Sequence, residues 1–403
     1  MTQTTDEAQQ TTPQATPSAL AEYQNEIYLR GLGGETPTFP IDVRELETAA
    51  YAAMTPEAVG YVAGGAGTER TVAANRDSLD RWRIVPRMLR GVAQRDLTTT
   101  LLGHTFPAPV MLGPVGVQAI IHPDAEAATA KGAAALGIPY ILSTASSTAM
   151  EEVVAAAPDA PRWYQLYWPK NRELAKSLVR RAEEAGFTAL VVTLDTWMLG
   201  WRPRDLDRAY LPFLRRVGIA NYTSDPVFRS MLPDNLPVEQ AEVLTWAANF
   251  ADPSLTWDDI AWLREQTSLP LILKGISCGA DASLALDVGA DAVHVSNHGG
   301  RQVDGAVAAI DALPEVVDTL AKRVPVLFDS GVRSGTDAVK ALALGADVVV
   351  LGRLYTWGLA LGGADGVTAV LRAFLADLDN TMALSGHAKP SELTRNSLAR
   401  VPA

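Results

Sequence analysis

Residues 324–351 read VPVLFDSGVRSGTDAVKALALGADVVVL, and this stretch decides the fold. The apolar run Val324–Phe328 predicts a buried strand, which is followed by a polar turn that contains glycine. The alanine-rich segment Thr336–Leu344 has the spacing of an amphipathic helix, and Val348–Leu351 predicts a second strand. A strand, a helix and another strand in this order are typical of an α/β protein with a parallel sheet.

The same unit recurs along the chain from about Val110 onward. The predicted strands are Val110–Leu112, Pro139–Leu142, Trp163–Leu166, Ala189–Leu194, Pro270–Leu273, Ala292–Val295, Val324–Phe328 and Val348–Leu351. The predicted helices include Asn171–Glu184, Ala280–Leu286, Leu313–Lys322, Thr336–Leu344 and Gly366–Ala376. Eight such units are expected to close into a (β/α)8 TIM barrel. The rival fold, a doubly wound sheet, needs a Gly-x-Gly-x-x-Gly turn after an early strand, and the sequence contains none.

The chain is expected to form one domain. Residues 1–40 are interpreted as a disordered or extended tail, because their first half is rich in Thr, Gln and Pro. Residues 41–403 are interpreted as a single barrel domain, in which Ile41–Thr100 supplies short helices and a closing strand. Residues 203–256 are much longer than an ordinary connection in a barrel and are interrupted by prolines. This insertion is interpreted as a lid over the catalytic end of the barrel.

Composition excludes several classes of partner. The 403 residues include 34 Lys and Arg against 46 Asp and Glu, a net charge of -12, without a basic block. Nucleic acid and anionic membrane surfaces are therefore poor partners, and neither a signal peptide nor an apolar run of bilayer length is recognised. The single cysteine, Cys278, excludes an intramolecular disulfide and does not suggest a zinc site, so we expect a cytoplasmic protein without a metal centre.

The predicted barrel requires its active site at the carboxyl ends of the strands. Nearly every predicted strand is followed by a polar or glycine-rich group, which a barrel built only for stability would not need. These strand-end residues are Pro114, Val115, Gly116, Ser143, Gln165, Tyr167, Thr193, Asp195, Lys274, Ser296, His298, Asp329, Gly352 and Arg353.

His298 and Arg301 form the most informative pair at these strand ends. An imidazole and a guanidinium three residues apart on a Gly-rich turn are placed to take a proton from a small acid while holding its carboxylate. A lone histidine after a strand is more often structural, so the pair alone does not decide the function. Asp195 is placed to orient His298. The groups available to bind an acid and its developing oxyanion are Tyr61, Tyr167, Arg202 and Arg301.

Two further features point to a cofactor. The turn Asp329–Gly335, which contains Gly331 and Arg333, and the pair Gly352-Arg353 have the composition of a phosphate site where barrels commonly bind phosphate. Lys274 ends an apolar strand, where an unpaired ammonium is unfavourable. It could contact an electron-rich cofactor ring or form a Schiff base with a substrate.

The motifs resemble those of the FMN-dependent L-2-hydroxy acid oxidase and dehydrogenase family from about Asp42 to Ala383. The matching stretches are Ser-Asn-His-Gly-Gly-Arg-Gln, Leu-Lys-Gly, Gln-Leu-Tyr, Asp195-Thr196 with Leu199-Gly200-Trp201-Arg202, Asp-Ser-Gly-Val-Arg and Gly-Arg. Within the family the sequence is similar to the lactate 2-monooxygenases, because of Gly116, the run from Leu199 to Leu206 and the segment through Tyr222–Pro226. Family oxidases usually carry alanine where Gly116 stands, so a missing methyl is expected to leave room beside the flavin. A family tryptophan is replaced by Ala145, which leaves part of the substrate wall open to question.

The resemblance implies oxidation of L-lactate, or a similar small 2-hydroxy acid, by O2. His298 would be the base, Tyr167 and Asp195 would support the reacting groups, and Lys274 would face the flavin's developing negative charge. Tyr61, Arg202 and Arg301 would bind the substrate. FMN would be bound by Pro114, Val115, Gly116, Ser143, Gln165, Thr193, Lys274, Ser296, Asp329, Gly331, Arg333, Gly352 and Arg353.

The resemblance also implies a product and an assembly. Whether the α-hydrogen leaves as hydride or as a proton is left open. Pyruvate would stay with peroxide under the lid and react to give acetate, CO2 and water, and the protein would be a homo-oligomer, a tetramer or octamer. Four alternatives remain: an oxidase that releases pyruvate and hydrogen peroxide, a Schiff-base aldolase that uses Lys274, a non-catalytic flavin carrier, and an electron-transfer dehydrogenase, which usually needs a haem domain, a membrane segment or a partner surface.

Overall fold

A computed structural model describes residues 20–402, and a closed eight-stranded parallel barrel lies at its centre. The barrel strands pair in sequence order, and the last pairs with the first, which confirms the predicted TIM barrel. The strands are β1 Trp82–Ile84, β2 Thr99–Leu101, β3 His104–Phe106, β4 Val110–Leu112, β5 Tyr140–Ser143, β6 Arg162–Leu166, β7 Leu190–Thr193, β8 Leu271–Ile276, β9 Ala292–Val295, β10 Val326–Phe328, β11 Val348–Leu351 and β12 Leu398–Arg400. Strands β4 to β11 form the barrel.

Helices surround the barrel and precede it. They are α1 Glu22–Gly31, α2 Val43–Ala53, α3 Pro56–Ala63, α4 Arg70–Asp80, α5 Ala125–Ala134, α6 Met150–Ala156, α7 Arg172–Glu184, α8 Pro203–Leu206, α9 Ala220–Thr223, α10 Pro226–Ser230, α11 Val238–Asn249, α12 Trp257–Arg264, α13 Gly279–Asp287, α14 Ala309–Leu320, α15 Gly335–Ala343 and α16 Arg353–Ser385. Side-chain caps explain where several helices begin. At the start of α7, the Asn171 side chain accepts a hydrogen bond from Leu174 N at 3.0 Å. Ser334 caps α15 in the same way.

The predicted strand positions are correct, with small differences at the ends. Three of the eight predicted strands have the bounds of β4, β9 and β11. Strand β10 begins at Val326 rather than at Val324, because Pro325 has no N–H to donate to a ladder. Strand β8 continues to Ile276 with an irregular register after Lys274, so Lys274 lies within the strand instead of directly after it.

The amino-terminal end of the barrel is closed by apolar packing. Leu101 and Phe106, from the β2–β3 hairpin, pack in one buried cluster with Met111, Ile141 and Trp163 of the barrel strands. The predicted closing strand is therefore a hairpin, and β1 pairs separately with β12 near the carboxyl terminus. Because this end is filled, the opposite end of the barrel is left for a site.

Helix α1 occupies part of the segment that the sequence analysis assigns to a disordered or extended tail. Its residues contact α16: Arg372 forms an ion pair with Glu26 and lies over the ring of Tyr23, 4.1 Å from the centroid. Asn380 donates a hydrogen bond to Gln24 Oε1 at 2.6 Å. These contacts are more than 300 positions apart in sequence, so local composition did not reveal them. Residues 32–40 form a turn and an irregular segment, and residues 1–19 of the tail prediction lie outside the described residues.

Helix α16 is the longest helix, and it is interrupted. Gly362 and Gly363 have non-helical backbone angles, so two helices meet there. By length and composition this helix could cross a membrane, but half of its most apolar window is buried inside the protein. Its packing against α5, α15 and α2 is that of a core helix.

The insertion, residues 203–256, is helical rather than an extended loop. It contains α8, α9, α10, α11 and the short 3-10 helix Pro212–Arg215. Asn221 and Asp225 are fully buried and fasten it to the barrel. Asn221 accepts a hydrogen bond from Met150 N at 2.8 Å and donates to the carbonyls of Ser143 and Thr144 at 3.3 Å. The middle of the insertion is therefore fixed to the carboxyl end of β5.

Candidate active site

A cavity at the carboxyl end of the barrel brings together most of the predicted site residues. Its walls include His298, Tyr167 and Lys274. The other predicted residues that line it are Tyr61, Pro114, Val115, Gly116, Arg202, Arg301, Asp329, Gly331, Arg333, Gly352 and Arg353. Five predicted residues do not line it: Ser143, Gln165, Thr193, Asp195 and Ser296, of which all but Asp195 are buried.

His298 is held in one orientation by its neighbours. Its backbone has a φ of +58°, in the left-handed region that a histidine rarely adopts, and Gly299 and Gly300 continue this conformation. Its Nδ1 lies 2.7 Å from Asp195 Oδ1 and 3.2 Å from Thr196 Oγ1. A carboxylate at Nδ1 favours the tautomer with the proton there, so Nε2 is left as the acceptor on the cavity side.

Charge and burial around His298 suit a base. Burial lowers the pKa of His298, although the negative charge of Asp195 opposes the change. Burial by itself would raise the pKa of Asp195, but the charges of His298 and Lys274 outweigh it and hold that pKa at about 2. The imidazole is therefore neutral and the carboxylate charged at neutral pH.

Tyr167 stands beside the base. Its hydroxyl lies 3.5 Å from His298 Nε2, and the two rings are nearly parallel, with centroids 6.5 Å apart. Burial raises the pKa of Tyr167 well above its ordinary value, and the charge of Asp195 adds to the effect. The phenol therefore keeps its proton and can donate a hydrogen bond to a substrate oxygen.

Two guanidinium groups in the cavity have no carboxylate within 4.0 Å among residues 20–402. Arg301 donates to the carbonyls of Tyr61 and Gly64, and burial lowers its pKa to about 10. Arg202 donates to the carbonyl of Arg301 and, at 2.9 Å, to Gln302 Oε1. Two buried cations that are paired only with neutral oxygens form a strong site for an anion such as a carboxylate.

Two further guanidiniums, of Arg333 and Arg353, follow β10 and β11 and have no carboxylate within 4.0 Å in the part of the chain that the structure describes. Burial lowers the pKa of Arg333, and burial with the charges of Arg301 and Arg333 lowers the pKa of Arg353 to about 9. Gly331, with a φ of +97°, lies so close to helix α4 that a Cβ would be 3.1 Å from Asn75. Glycine is therefore required in this turn, and the residues fit the monophosphate of a cofactor.

Lys274 is enclosed by polar groups. Its ammonium donates to Ser296 Oγ at 2.9 Å and lies 3.5 Å from Asp329 Oδ2 and 3.9 Å from Asp195 Oδ2. Burial alone would raise the pKa of Asp329, but the charge of Lys274 outweighs it and keeps that pKa well below its ordinary range. The ammonium is engaged by two carboxylates and a hydroxyl, which disfavours its use as a Schiff-base nucleophile.

Three predicted cofactor residues form a hydrogen-bonded row near the carboxyl ends of β5, β6 and β7. Ser143 donates to Gln165 Oε1 at 2.9 Å, and Gln165 Nε2 donates to Thr193 Oγ1 at 2.9 Å. Ser143 and Gln165 are partners in the register of β5 and β6. The row is buried and links the carboxyl ends of these three strands.

The space expected beside Gly116 is filled. A Cβ at Gly116 would lie 2.7 Å from the carbonyl oxygen of Ala145 and 2.8 Å from its Cβ. The next residue, Val117, has a φ of +53° and donates a hydrogen bond to the same carbonyl at 2.8 Å. The expectation that the missing methyl leaves room is therefore wrong: glycine allows the chain to pass closely over Ala145.

Sequence analysis missed the aromatic roof of the cavity, Phe213 and Phe250. Both come from the insertion, and both stack on Trp246, with centroids 4.5 and 4.8 Å from it. No periodicity marks them, because they lie 37 positions apart, in a short 3-10 helix and directly after α11. It also assigned no role to Gln302, which holds Arg202 and lies within the Ser-Asn-His-Gly-Gly-Arg-Gln motif; that motif was the available signal.

Comparison with known proteins decides the family. A model of the family described as FMN-dependent dehydrogenase matches residues 50–400. The chain belongs to this family. It is 44% identical over 388 residues to an FMN-dependent alpha-hydroxy acid dehydrogenase of Schizosaccharomyces pombe, a match covering 93% of this chain and 95% of that protein. It is 41% identical to an L-lactate oxidase of Lysinibacillus sphaericus, covering 90% and 93%.

Solved structures agree with this assignment. A crystal structure of mandelate oxidase with (S)-4-hydroxymandelic acid superposes with a TM-score of 0.80 at 37% identity, covering 89% of this chain and 98% of that one. The family makes the protein an FMN-dependent oxidoreductase that acts on 2-hydroxy acids. The two uncompensated guanidiniums and the tight glycine turn after β10 fit the FMN phosphate. Within residues 20–402, no group of three or more His, Cys, Asp or Glu side chains is arranged to hold a metal ion.

Proposed function

We propose that the protein oxidises L-lactate with O2 and retains the pyruvate until it is oxidatively decarboxylated, which makes it a lactate 2-monooxygenase. The oxidation of L-lactate is supported by one observation: a neutral His298 faces the same cavity as two guanidiniums that have no carboxylate partner among residues 20–402. The observation that favours the second half is the fixed aromatic roof over that cavity. The overall reaction converts lactate and O2 into acetate, CO2 and water.

The protein's own groups account for binding and proton transfer. Arg202 and Arg301 bind the carboxylate of the substrate, and the Tyr61 ring packs against Arg301, 4.8 Å from ring centroid to guanidinium carbon. Nε2 of His298 accepts the proton of the 2-hydroxyl group. Asp195 stabilises the imidazolium that forms, and Tyr167 donates a hydrogen bond to the same substrate oxygen.

The cofactor supplies the redox chemistry. When bound, FMN accepts the two electrons removed from the substrate and passes them to O2. The residues that would hold its phosphate are Arg333, Arg353 and the turn after β10, while Lys274 would face its electron-rich ring. The fit of this site rests on the unpaired arginines and on the close approach at Gly331.

Retention of pyruvate depends on the insertion. Phe213 and Phe250 cover the cavity. Gly218 packs closely against Val117 and Phe213, because a Cβ at Gly218 would lie 2.3 Å from the Val117 side chain and 2.8 Å from the Phe213 ring. Asn221 and Asp225 anchor the segment; Asp225 accepts from Ser177 at 2.9 Å and pairs with Arg181 at 3.1 Å. A roof that is bonded to the barrel opens slowly, so pyruvate and peroxide have time to react.

An oxidase that releases pyruvate and hydrogen peroxide is the second candidate, favoured by the similarity to L-lactate oxidases. One experiment separates the two. The purified holoenzyme is supplied with L-lactate in air, and acetate, pyruvate and hydrogen peroxide are measured. Acetate as the main product, with less than stoichiometric peroxide, supports our proposal. Pyruvate and peroxide in equal amounts would assign the protein to the oxidases.

The remaining alternatives have less support. The enclosed ammonium of Lys274 argues against an aldolase, and a non-catalytic flavin carrier would not need His298 beside two free guanidiniums. Reduction of the yellow enzyme by lactate under nitrogen, followed by fast reoxidation in air, would argue against an electron-transfer dehydrogenase. We also propose a cytoplasmic location and a homo-oligomer, a tetramer or octamer, which light scattering of the purified protein would test.

A further inference from the structure

His294 is a buried ionisable residue that the proposed mechanism does not use. It lies in the apolar strand β9 and is fully buried. Neither ring nitrogen has a well-aligned hydrogen-bond partner within residues 20–402. A buried imidazole with so little compensation is unfavourable, and an aliphatic side chain would pack there without this penalty. Its presence therefore calls for a role.

The one charged group that its ring touches is Asp329. Nε2 of His294 lies 3.1 Å from Asp329 Oδ2, and the same oxygen lies 3.5 Å from the ammonium of Lys274. The register of the barrel explains this meeting, because Lys274 and His294 are partners across β8 and β9. The other carboxylate oxygen, Oδ1, accepts a hydrogen bond from Ser330 at 2.6 Å. The imidazole and the ammonium thus share one oxygen.

We propose that His294 is a positioning residue that draws Asp329 partly away from Lys274 and so sets how much of the lysine's positive charge acts on the cofactor. Burial lowers the pKa of His294, so the ring is neutral and offers an N–H rather than a second positive charge. With that N–H beside Oδ2, the carboxylate stays at 3.5 Å from the ammonium instead of forming a close ion pair. Because the two charges are then farther apart, Asp329 cancels less of the positive potential that Lys274 exerts on the cofactor.

The effect has a defined direction. Without the imidazole, Asp329 can move closer to Lys274, and the ammonium then stabilises negative charge on the flavin less well. The flavin should become harder to reduce and should bind anions that add to it more weakly. A merely structural role for His294 would change stability and leave both quantities unaltered.

The test uses the FMN-loaded enzyme and needs no turnover. Sulfite, an anion that adds to oxidised flavin, is titrated by absorbance, and the midpoint potential of the flavin is measured on the same samples. The variants are His294→Leu, which removes the N–H, and His294→Gln, which keeps a donor. His387→Leu is the matched control, because His387 is also buried but lies near the carboxyl terminus between Ser385 and Ser397. His294→Val is a second donor-free variant if leucine prevents FMN binding.

We expect His294→Leu to weaken sulfite binding by about five- to tenfold, a fraction of the full effect of a hydrogen bond to a charged group. The midpoint potential should fall, and His294→Gln and His387→Leu should stay within about twofold of the parent. The inference rests on the proposed placement of Lys274 against FMN, which Lys274→Met tests separately. If Lys274→Met changes sulfite binding and the donor-free variants do not, the role of His294 is refuted. If Lys274→Met also has no effect, the placement of the cofactor is wrong and the inference fails with it.

Discussion

Replacing Gly116 with alanine tests the wall of the active site most directly. The added methyl would lie 2.7 Å from the carbonyl oxygen of Ala145 and 2.8 Å from its Cβ, whereas ordinary contact begins at 3.4 Å. The two segments must therefore separate by roughly 0.6 Å or more, as expected when a packed wall is overfilled. Such a change typically destabilises a protein by about 1–3 kcal/mol.

This movement should alter the fate of pyruvate more than its formation. Ala145 lies between the flavin-side wall and the insertion, since its carbonyl also accepts from Val117 and lies 3.0 Å from a Cβ placed at Gly218. Separating the wall from the insertion loosens the roof, while His298 and the two guanidiniums remain in place. If the free-energy barrier to pyruvate escape falls by about 1 kcal/mol relative to the barrier to decarboxylation, the pyruvate-to-acetate ratio rises about fivefold.

The assay compares products at matched turnover, with flavin reduction by lactate followed in a stopped-flow instrument. The double variant Gly116→Ala with Ala145→Gly removes the Cβ contact but not the contact with the carbonyl oxygen. It should therefore recover part of the acetate yield and part of the lost stability, and the double-mutant cycle measures the coupling. A single variant that is as stable as the parent and gives the same acetate-dominated ratio would show that Gly116 and Ala145 do not control retention.

Five further predictions follow from the site. His298→Ala should bind FMN but be reduced by lactate about 10²- to 10⁴-fold more slowly, because the proton acceptor is lost; reduction within about threefold of the parent would remove His298 from this role. In the parent, the rate of reduction should rise with pH as His298 loses its proton, with a midpoint below that of an ordinary histidine, because burial lowers the pKa of His298. Asp195→Asn should move that midpoint to still lower pH, since the carboxylate charge raises the pKa of His298, and a midpoint that moves upward would contradict the coupling. Arg353→Ala should lower FMN occupancy after dialysis without a large change in far-ultraviolet circular dichroism. Asn221→Ala should speed the dissociation of pyruvate from the oxidised holoenzyme, which is measured by flavin absorbance.

The barrel was predictable because its signal is local and repeated. Each strand is a short apolar run, and each is followed by a turn and a helix, so an error of two or three residues at one end, as at Val324 or Leu273, does not alter the topology. Helix α1 was missed for the opposite reason. None of its residues is buried, and its contacts are with α16, far along the chain.

The site residues that come directly after barrel strands were predictable from the sequence. His298, Lys274 and Asp329 come from neighbouring strands, so the barrel alone brings them together. The sequence could not distinguish residues that face the cavity from those behind it, as the buried row Ser143–Gln165 shows. That distinction depends on how each turn is folded after its strand.

The proposed product retention rests on contacts that no local pattern encodes. Phe213 and Phe250 reach the cavity only because the insertion between them folds back on itself and is fastened at Asn221. The same is true at Gly116, where the missing methyl suggested open space and the structure places Ala145 instead. A glycine next to a ligand site therefore indicates close approach, and only the fold decides whether ligand or protein occupies the space. In this chain the base and the arginines follow from motifs, whereas the proposed retention of pyruvate rests on how the insertion packs on the β5 end of the barrel.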